Sequence, residues 1–288
     1  MRVCIIGRGK VGRTLQRELA QAGVESKLVA GRFRRLPGAR DVYLLAVPDA
    51  RLSEVAQALV PHVDRRSVVL HCAGARDQHA LAALRACGAR VGVFHPLVSF
   101  ATAHAAHSLR GVTFTSFGDR AAIAAARKLA RLLRAHLVVL EQAPGPAYHA
   151  AAALVANGAA ALAQLGARAL GQVGFRQRDA ERALSTLLSS VAQNIAQVGL
   201  PGALTGPVAR GDAATVAAHV GALARIDREL VEAYLALQPA VLATAKAAGL
   251  DPKLARKLAR TLTGLAETAR TSRPGVRSRS NRPRPASR

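Results

Sequence analysis

Three glycines near the start of the chain have the spacing of a phosphate-binding turn. Gly7, Gly9 and Gly12 follow an apolar run, Arg2–Ile6, and precede a segment with helical spacing at 14–22. In such a strand–turn–helix unit, the first glycine allows the tight turn, the second lets a pyrophosphate approach the backbone, and the third lets the helix pack against the strand. The helix dipole and its free N–H groups favour an anion there. The spacing predicts a dinucleotide site, and the other residues of the turn that would contact the cofactor are Arg8, Lys10 and Val11.

The segment after the second predicted strand, at 27–30, indicates which dinucleotide is favoured. A site for NAD usually has an acidic residue about 20 positions past the glycines, where it accepts hydrogen bonds from the ribose hydroxyls. Here residues 31–35 include three arginines and no acid. A guanidinium forms paired hydrogen bonds with a 2′-phosphate, which a carboxylate would repel. We therefore expect NADPH, with Arg32 and then Arg34 as phosphate ligands. The alternative is that both are surface arginines of an arginine-rich chain.

Small residues follow the next two predicted strands. In open α/β sheets, ligands bind beyond the carboxyl ends of the strands. Val47 ends the strand predicted at 41–47 and Pro48 follows it, and Cys72 and Gly74 follow the strand at 67–71. We expect these residues to shape the loops around the ribose and the nicotinamide, with a steric role.

One polar residue of this edge has a side chain suited to proton transfer. His95 ends the fifth predicted strand and precedes Pro96, which fixes the turn. With an unperturbed pKa near neutrality, a histidine can donate a proton to a carbonyl oxygen or an imine nitrogen as hydride arrives. Ser99, four positions on, could orient substrate. The alternatives are a histidine that only bonds neighbouring loops and a serine that only stabilises a turn.

Further candidates lie in the second half of the chain. Tyr148 and His149 begin a long apolar helix, and Asn157 lies eight residues after His149, on the same helical face. A buried amide must be hydrogen-bonded, so Asn157 either bridges helices or faces ligand. In a later glycine- and proline-rich loop, Thr205 and Arg210 could bind a substrate carboxylate. The alternative for that loop is a plain helix–helix linker.

Composition sets the class of protein. The 288 residues are half hydrophobic but only 3% aromatic, and the net charge is +24. No recognition motif or aromatic platform accompanies this charge, so we expect an arginine-rich surface rather than specific nucleic-acid binding. The three cysteines have no metal-ligand spacing and form no disulfide framework. With no visible signal peptide and no long unbroken apolar stretch, we expect a cytoplasmic protein without a metal site or a membrane span.

The order of the predicted elements gives the organisation. Strands alternate with helices up to about residue 142, which predicts an α/β, Rossmann-type doubly wound parallel sheet. Beyond the Pro-Gly-Pro cluster at 144–146 the pattern is helical only. We therefore expect an NADP-binding Rossmann domain at 1–142 and an all-α substrate and dimerisation domain at 143–269. The arginine- and serine-rich tail at 270–288 is expected to be disordered.

The combined pattern resembles the 6-phosphogluconate dehydrogenase-like superfamily, which includes ketopantoate reductase and pyrroline-5-carboxylate reductase. More narrowly, it resembles a bacterial family of Rossmann-like proteins with a helical C-terminal domain of unknown function. The segments that support this are His95–Phe100, Tyr148–Ala150, Asn157 and Leu204–Asp212. The resemblance implies an NADP cofactor and a reductase. Ketopantoate reductase uses a lysine and an asparagine on one helix, and this chain has no lysine between Glu141 and Arg168.

Three functions are consistent with these observations. The first is an NADPH-dependent oxidoreductase that reduces a small 2-oxo acid or imine, with His95, His149 and Asn157 as catalytic residues. The substrate would be held by Ser99, Thr205 and Arg210. The second is a non-catalytic dinucleotide-binding or regulatory protein, since a fold alone does not fix function. The third is a basic protein of nucleic acid or membrane surfaces. Pairing of the alanine-rich helices would make a homodimer.

Overall fold

The computed structural model describes residues 1–38, 40–74, 76, 78–101, 108–143 and 145–271. Seven strands form one sheet in the order β2-β1-β3-β4-β5-β6-β7. The strands are β1 Arg2–Ile6, β2 Glu25–Val29, β3 Val42–Leu45, β4 Val68–His71, β5 Arg90–Pro96, β6 Thr113–Gly118 and β7 His136–Val139. The predicted Rossmann-type sheet is confirmed.

One strand pair departs from the predicted parallel sheet. Neighbouring strands are parallel throughout except β5 and β6, which pair antiparallel with His95 opposite Thr115. The chain therefore begins β6 at the sheet edge where β5 ends. The expectation of an all-parallel sheet is wrong at this pair, and the consequence is that side chains from β5 and β6 meet beside the carboxyl ends of β1, β3 and β4.

Burial on both faces explains the apolar runs of the central strands. Successive side chains of a strand point to opposite faces. Val3 and Ile5 belong to one core, and Cys4 and Ile6 to the other. Helices cover both faces, which is why the inner strands are hydrophobic without alternation. Burial raises the pKa of the Cys4 thiol to about 11, so this cysteine is a small core residue, as expected.

Among the described residues, four α-helices precede residue 145 and five more lie from residue 145 onward. They are α1 Lys10–Gln21, α2 Leu52–Leu59, α3 Ala82–Ala86, α4 Arg120–Leu132, α5 Gly145–Gln172, α6 Gln177–Val198, α7 Ala213–Ala224, α8 Arg228–Ala247 and α9 Pro252–Thr271. The predicted helical C-terminal region is confirmed. Its core lies among α7, α8 and α9, around Val216, Leu242 and Leu258.

The chain divides into two compact units between residues 158 and 159. The first half of α5 thus belongs to the unit that contains the sheet, whereas the sequence predicts a boundary at 142/143. The reason lies in Tyr148, on the first turns of α5, which is hydrogen-bonded to side chains of the sheet. Of the tail expected to be disordered, residues 272–288 lie outside the described residues.

Helix α5 is unusually exposed for its composition. By length and hydropathy alone it could cross a membrane, and only 6% of its most apolar 18-residue segment is buried within this chain. Core helices of soluble proteins meet the same criterion but are mostly buried. Among the described residues of α5, only Ala167 is classed as buried. An apolar helix with this much exposed surface is unusual in a soluble protein.

Candidate functional site

The glycine turn after β1 leaves no room for larger residues at two of its positions. The backbone of Gly7 has φ +122°, and a Cβ there would lie 2.1 Å from the carbonyl oxygen of Ala46. A Cβ on Gly12 would lie 1.9 Å from the carbonyl oxygen of Gly7. The first glycine therefore lets β1 and β3 end side by side, and the third lets α1 pack onto the turn.

The middle glycine has the opposite environment. A Cβ on Gly9 would meet no atom within 4 Å. Gly9 is also the N-cap of α1, with extended backbone, no side-chain cap and no acid in the first helical turn. The N–H groups of this turn are thus free to bind an anion. Arg8 and Lys10 are exposed on either side. This cradle fits the pyrophosphate of a dinucleotide. The space next to Gly9 is open, and the first turn of α1 has no acidic residue that would repel the phosphates.

A second group of residues surrounds the end of β2. Val47 packs 3.2 Å from the Cβ positions of both Gly7 and Gly31, and so forms a wall between the two. Arg51 Nη1 lies 3.7 Å from the Cβ position of Gly31, and Arg51 forms a two-point ion pair with Glu54. The hydrogen bond from Arg51 lowers the pKa of Glu54, and the charge of Arg32 contributes.

The arginines of this edge are open to solvent. Arg32 and Arg34, the predicted phosphate ligands, are both exposed, as is Pro48. Arg51 was not predicted, because it follows β3, whereas the residues that usually distinguish NAD from NADP follow β2. Its position beside Gly31 makes it a third cation that could reach a 2′-phosphate, although its guanidinium already pairs with Glu54.

The end of β5 presents a hydrogen-bonded cluster of three side chains. His95 Nδ1 lies 2.8 Å from Tyr148 Oη, and Thr115 Oγ1 donates to the same oxygen at 3.0 Å. The rings of His95 and Tyr148 meet edge to face at 5.5 Å between centroids. Because His95 and Thr115 are paired across β5 and β6, both reach the first turns of α5 from the sheet. Thr115 was not predicted, since a threonine in a strand gives no sequence signal.

The pKa of His95 is lower than that of an ordinary histidine. Its pKa is lowered from 6.5 to about 4, first by burial and then by the charge of His149, with a further contribution from His71; Asp49 opposes this. At neutral pH the ring is therefore uncharged. The neutral ring can donate or accept a hydrogen bond, and its predicted part in proton transfer stays a prediction.

Two residues after β4 contribute packing. Burial raises the pKa of the Cys72 thiol to about 12, so it is protonated and packs against the core on one face of the sheet. A Cβ on Gly74 would lie 2.6 Å from His95 Nε2 and 2.8 Å from Cε1. Glycine at this position therefore allows the imidazole ring to lie against the backbone. Both residues shape the site through packing: Cys72 packs against the core, and Gly74 leaves room for the His95 ring.

A cavity of about 610 Å³ opens beside His95. Its lining includes Ser99 from the segment after β5, and Tyr148, His149 and Asn157 from α5. The size is typical of a site for a small ligand. The described residues that line it include no arginine, lysine or carboxylate. Asn157 is exposed rather than a buried amide, because α5 has an open face at this point in the chain.

The two remaining predicted substrate ligands belong to the other unit. Thr205 and Arg210 are exposed in the loop before α7. This loop has clear structural functions. Asp212 caps α7 by accepting a hydrogen bond from the Thr215 N–H at 3.0 Å, and Gly211 packs on Leu254 of α9. Within the first unit the structure thus brings together His95, His149, Asn157 and Ser99, without Thr205 and Arg210.

Replacement of Gly74 by alanine tests the packing of the imidazole. The added methyl would overlap the His95 ring, so we expect the free energy of unfolding to fall by about 1–3 kcal/mol, the usual cost of overpacking. Chemical denaturation measures this. Gly264→Ala is the matched control, because a Cβ there meets no atom within 4 Å and the residue lies inside α9. Equal stabilities of Gly74→Ala and the wild type would show that the ring does not lie against Gly74.

Comparisons with known proteins agree with this description. Residues 112–241 match the family described as "Domain of unknown function (DUF2520)". No curated protein matches the sequence. The structure of protein TM1727 from Thermotoga maritima is similar, with TM-score 0.64, 24% identity, and coverage of 85% of this chain and 98% of that one.

Two reductases also share the fold. An imine reductase from Pseudomonas sp. has TM-score 0.55 and 17% identity over 92% of this chain and 99% of its own. Pyrroline carboxylate reductase from Plasmodium falciparum, solved with NADP bound, has TM-score 0.55 and 8% identity over 94% of this chain and 97% of its own. At these identities the likeness establishes the fold. The resemblance drawn from the sequence is confirmed: residues 112–241 match the DUF2520 family, and the chain shares the Rossmann-type fold with a C-terminal helical region seen in these reductases.

Proposed function

We propose that the protein is an NADPH-dependent reductase of a small carbonyl compound or imine, a 2-oxo acid among the candidates. The observation that carries this proposal is the arrangement along one edge of the sheet. The open helix N-terminus at Gly9 follows β1, and the cavity beside His95 follows β5, while β1, β3, β4 and β5 all end at this edge because they run parallel. A dinucleotide held at the first point and extended along the edge would present its nicotinamide to the cavity.

Each group of residues has a distinct part in this proposal. The N–H groups of the glycine turn bind the pyrophosphate, and Arg32, supported by Arg34 and Arg51, binds the 2′-phosphate. When bound, NADPH supplies a hydride. Cys72 and Gly74 limit the space beside the nicotinamide, and the cavity between the residues after β5 and α5 holds the substrate. Neutral His95 orients its neighbours by hydrogen bonding. His149, Asn157 and Ser99 line the cavity and contact the substrate.

Two known reductases support the class of reaction. The named relatives act on imines or on pyrroline carboxylate, and one was solved with NADP. A reductase of either a carbonyl or an imine needs the same arrangement of hydride donor and hydrogen-bond donor. We also infer a cytoplasmic setting, which the three free cysteines, Cys4, Cys72 and Cys87, support because a reducing compartment keeps thiols unpaired.

The choice of cofactor is tested by replacing Arg32. Charge-assisted hydrogen bonds contribute about 1.5–3 kcal/mol each, so we expect Arg32→Ala to weaken the Kd for NADPH by roughly 10- to 100-fold. Binding of NADH should change less than about two-fold, because NADH has no 2′-phosphate. Isothermal titration calorimetry measures both. Arg90→Ala is the control, since Arg90 is exposed at the opposite edge of the sheet, where β5 begins.

Turnover is tested with a substrate panel. Oxidation of NADPH by the wild-type protein, followed by absorbance, should be steady with at least one member of a set of 2-oxo acids and cyclic imines. Binding of NADPH without oxidation by any of them would favour the non-catalytic alternative.

In the calorimetric test of Arg32→Ala, an equal loss of NADPH and NADH affinity would show that Arg32 does not bind the 2′-phosphate.

A further inference from the structure

The cluster at the end of β5 contains one hydroxyl that two neighbours hold from opposite directions. Tyr148 Oη receives the hydrogen bond of Thr115 Oγ1 at 3.0 Å and lies 2.8 Å from His95 Nδ1. Tyr148 also lines the cavity of about 610 Å³. A phenol oxygen accepts up to two hydrogen bonds and donates one. The direction of the bond with His95 therefore decides where the phenol hydrogen points.

Two arrangements are possible for a neutral imidazole, which has a single N–H. With the hydrogen on Nε2, Tyr148 would donate to Nδ1 and its hydrogen would be used inside the cluster. With the hydrogen on Nδ1, both Thr115 and His95 would donate to Tyr148 Oη, and the phenol hydrogen would be free for a ligand in the cavity. Only the second arrangement makes Tyr148 an acid toward substrate.

We propose that Tyr148 is the catalytic proton donor of the reduction, and that Thr115 and His95, the latter as its Nδ1–H tautomer, are positioning residues that donate to its oxygen. This inference rests on the proposed function and assigns to Tyr148 the acid role that the sequence suggests for His95. It places the donor on α5, from which His149 and Asn157 line the cavity with it.

The chemistry balances without any further reagent. Bound NADPH would supply the hydride and be oxidised to NADP⁺; as that hydride forms a C–H bond at the carbonyl carbon, the C=O π bond would break and its electron pair would move to the oxygen. The Oη–H bond of Tyr148 then breaks, its proton joins that oxygen, and an alcohol and a phenolate result. The phenolate takes a proton from water to complete the cycle. A phenol, with a pKa of about 10, is acidic enough to protonate an alkoxide.

The surroundings of Tyr148 suit both states of its oxygen. Burial raises the pKa of Tyr148 above its ordinary value, while the hydrogen bond from Thr115 lowers it, so the hydroxyl is fully protonated at neutral pH. When the proton leaves, two fixed donors face the phenolate. Hydrogen bonds to an ionised acceptor are roughly twice as strong as neutral ones, so Thr115 and His95 stabilise the oxygen most at the moment it becomes charged.

The tautomer of His95 tests the inference independently of turnover. Nitrogen-15 spectra of the imidazole rings at neutral pH distinguish Nδ1–H from Nε2–H, and the signals of His95 are assigned by their loss in His95→Gln. We expect the proton on Nδ1 in the wild type. A proton on Nε2 would overturn the proposal, because Tyr148 would then have to donate to His95. Tyr148→Phe should shift these signals, since it removes the acceptor.

Kinetics with NADPH and the panel compound that the wild type reduces fastest supply the second test. We expect Tyr148→Phe to lower kcat by about 100-fold or more, the usual contribution of general acid catalysis, with the Kd for NADPH unchanged within two-fold. Thr115→Val, which keeps the shape but removes the hydroxyl, should lower kcat by about ten-fold with little change in KM. Thr115→Ser, which keeps the hydroxyl, should restore most of that loss. A merely structural threonine would show the opposite order, because valine preserves packing better than serine.

The control is a second pair of the same chemistry. Tyr234 Oη lies 3.1 Å from His219 Nδ1 in the other unit, with a similar edge-to-face ring contact. Tyr234→Phe should leave kcat unchanged. Full activity of Tyr148→Phe would refute the proton donor while the reductase proposal stands. Absence of any NADPH oxidation by the wild type would remove both, whereas the tautomer measurement would still report on the hydrogen bonds themselves.

Discussion

A valine in place of Gly9 is expected to abolish NADPH binding while the fold stays intact. The side chain would project into open space, since a Cβ at this position meets no atom within 4 Å. The backbone of Gly9, at φ −73° and ψ −173°, is extended and accepts any residue. The free energy of unfolding should therefore change by less than about 1 kcal/mol.

The ligand, in contrast, would meet the new side chain directly. The pyrophosphate must approach the N–H groups at the start of α1 to within hydrogen-bonding distance. A branched side chain on the N-cap residue would prevent this approach, so we expect the Kd for NADPH to rise by at least about 100-fold. Calorimetry and denaturation of the same preparation separate the two effects. NADPH affinity equal to that of the wild type would show that no phosphate lies over Gly9.

Gly12 provides the matched comparison. A Cβ there would lie 1.9 Å from the carbonyl oxygen of Gly7, so even alanine must push α1 away from β1. We expect Gly12→Ala to lower the free energy of unfolding by about 1–3 kcal/mol, in addition to weakening cofactor binding. The two glycines of one motif are thus expected to differ in function, because Gly9 leaves open space where a ligand would lie and Gly12 makes space for the helix.

Features that depend on neighbours in sequence could be predicted well. The glycine turn and the apolar strands follow from local spacing, whereas the predicted start of the first helix, at residue 14, is wrong, since α1 begins at Lys10. The strand β1 shows why: Val3 and Ile5 are buried on one face and Cys4 and Ile6 on the other, which a continuous apolar run indicates. The N-cap of α7 by Asp212 is another local feature that its residue type predicts.

The direction of β6 could not be predicted in this way. Both parallel and antiparallel strands give apolar runs, and only the path of the connecting chain distinguishes them. The antiparallel pair β5–β6 nevertheless determines the site, because it places Thr115 opposite His95. In a parallel pair, the carboxyl end of β5 would face a different residue of β6.

The properties of the site residues depend on groups far away in sequence. His95 and Tyr148 are separated by 53 positions, and Thr115 and Tyr148 by 33. The pKa of His95 falls to about 4 because the folded chain buries the ring and brings His149 and His71 toward it. A histidine after a strand suggests an acid, yet the folded environment makes it a neutral hydrogen-bonding group. Residue type thus predicted a candidate residue at the end of β5, but the protonation state of its side chain depends on the fold.

The exposed face of α6 leads to a further expected result, that the protein is a homodimer in solution. Leu187, Leu188, Val191, Ile195 and Val198 repeat at helical spacing and are 40–64% exposed. Soluble monomers rarely expose a contiguous apolar stripe of this kind. We define these five side chains as the α6 stripe and propose that a second copy of the chain covers it.

Charge is consistent with a second copy as the partner. The chain has a net charge of +24, so two copies repel each other wherever charged surfaces would meet. Residues 183–200, however, contain no charged side chain at all. Pairing through this segment buries apolar area without bringing the arginine-rich surfaces into direct contact. Helix α5, which is more apolar than α6 and also exposed, would gain cover in such an assembly.

Two arginines on the α6 stripe should separate the subunits. We expect the wild type to have twice the chain mass by sedimentation equilibrium at micromolar concentration, and Leu187→Arg/Val191→Arg to have the mass of one chain. A buried charge without a partner costs several kcal/mol, and a symmetric interface would contain each substitution twice. The double variant should remain helical, since both positions face outward on their own helix.

The control places the same charges on the same helix. Ser189 and Gln193 are exposed on the face of α6 opposite the stripe, so Ser189→Arg/Gln193→Arg adds equal charge and should remain dimeric. Dissociation of both variants would mean that charge alone, rather than its place on the helix, separates the subunits. A wild-type protein of single-chain mass would contradict the dimer. If it also required detergent to leave the membrane fraction, lipid rather than a second copy would be the partner of α5 and α6.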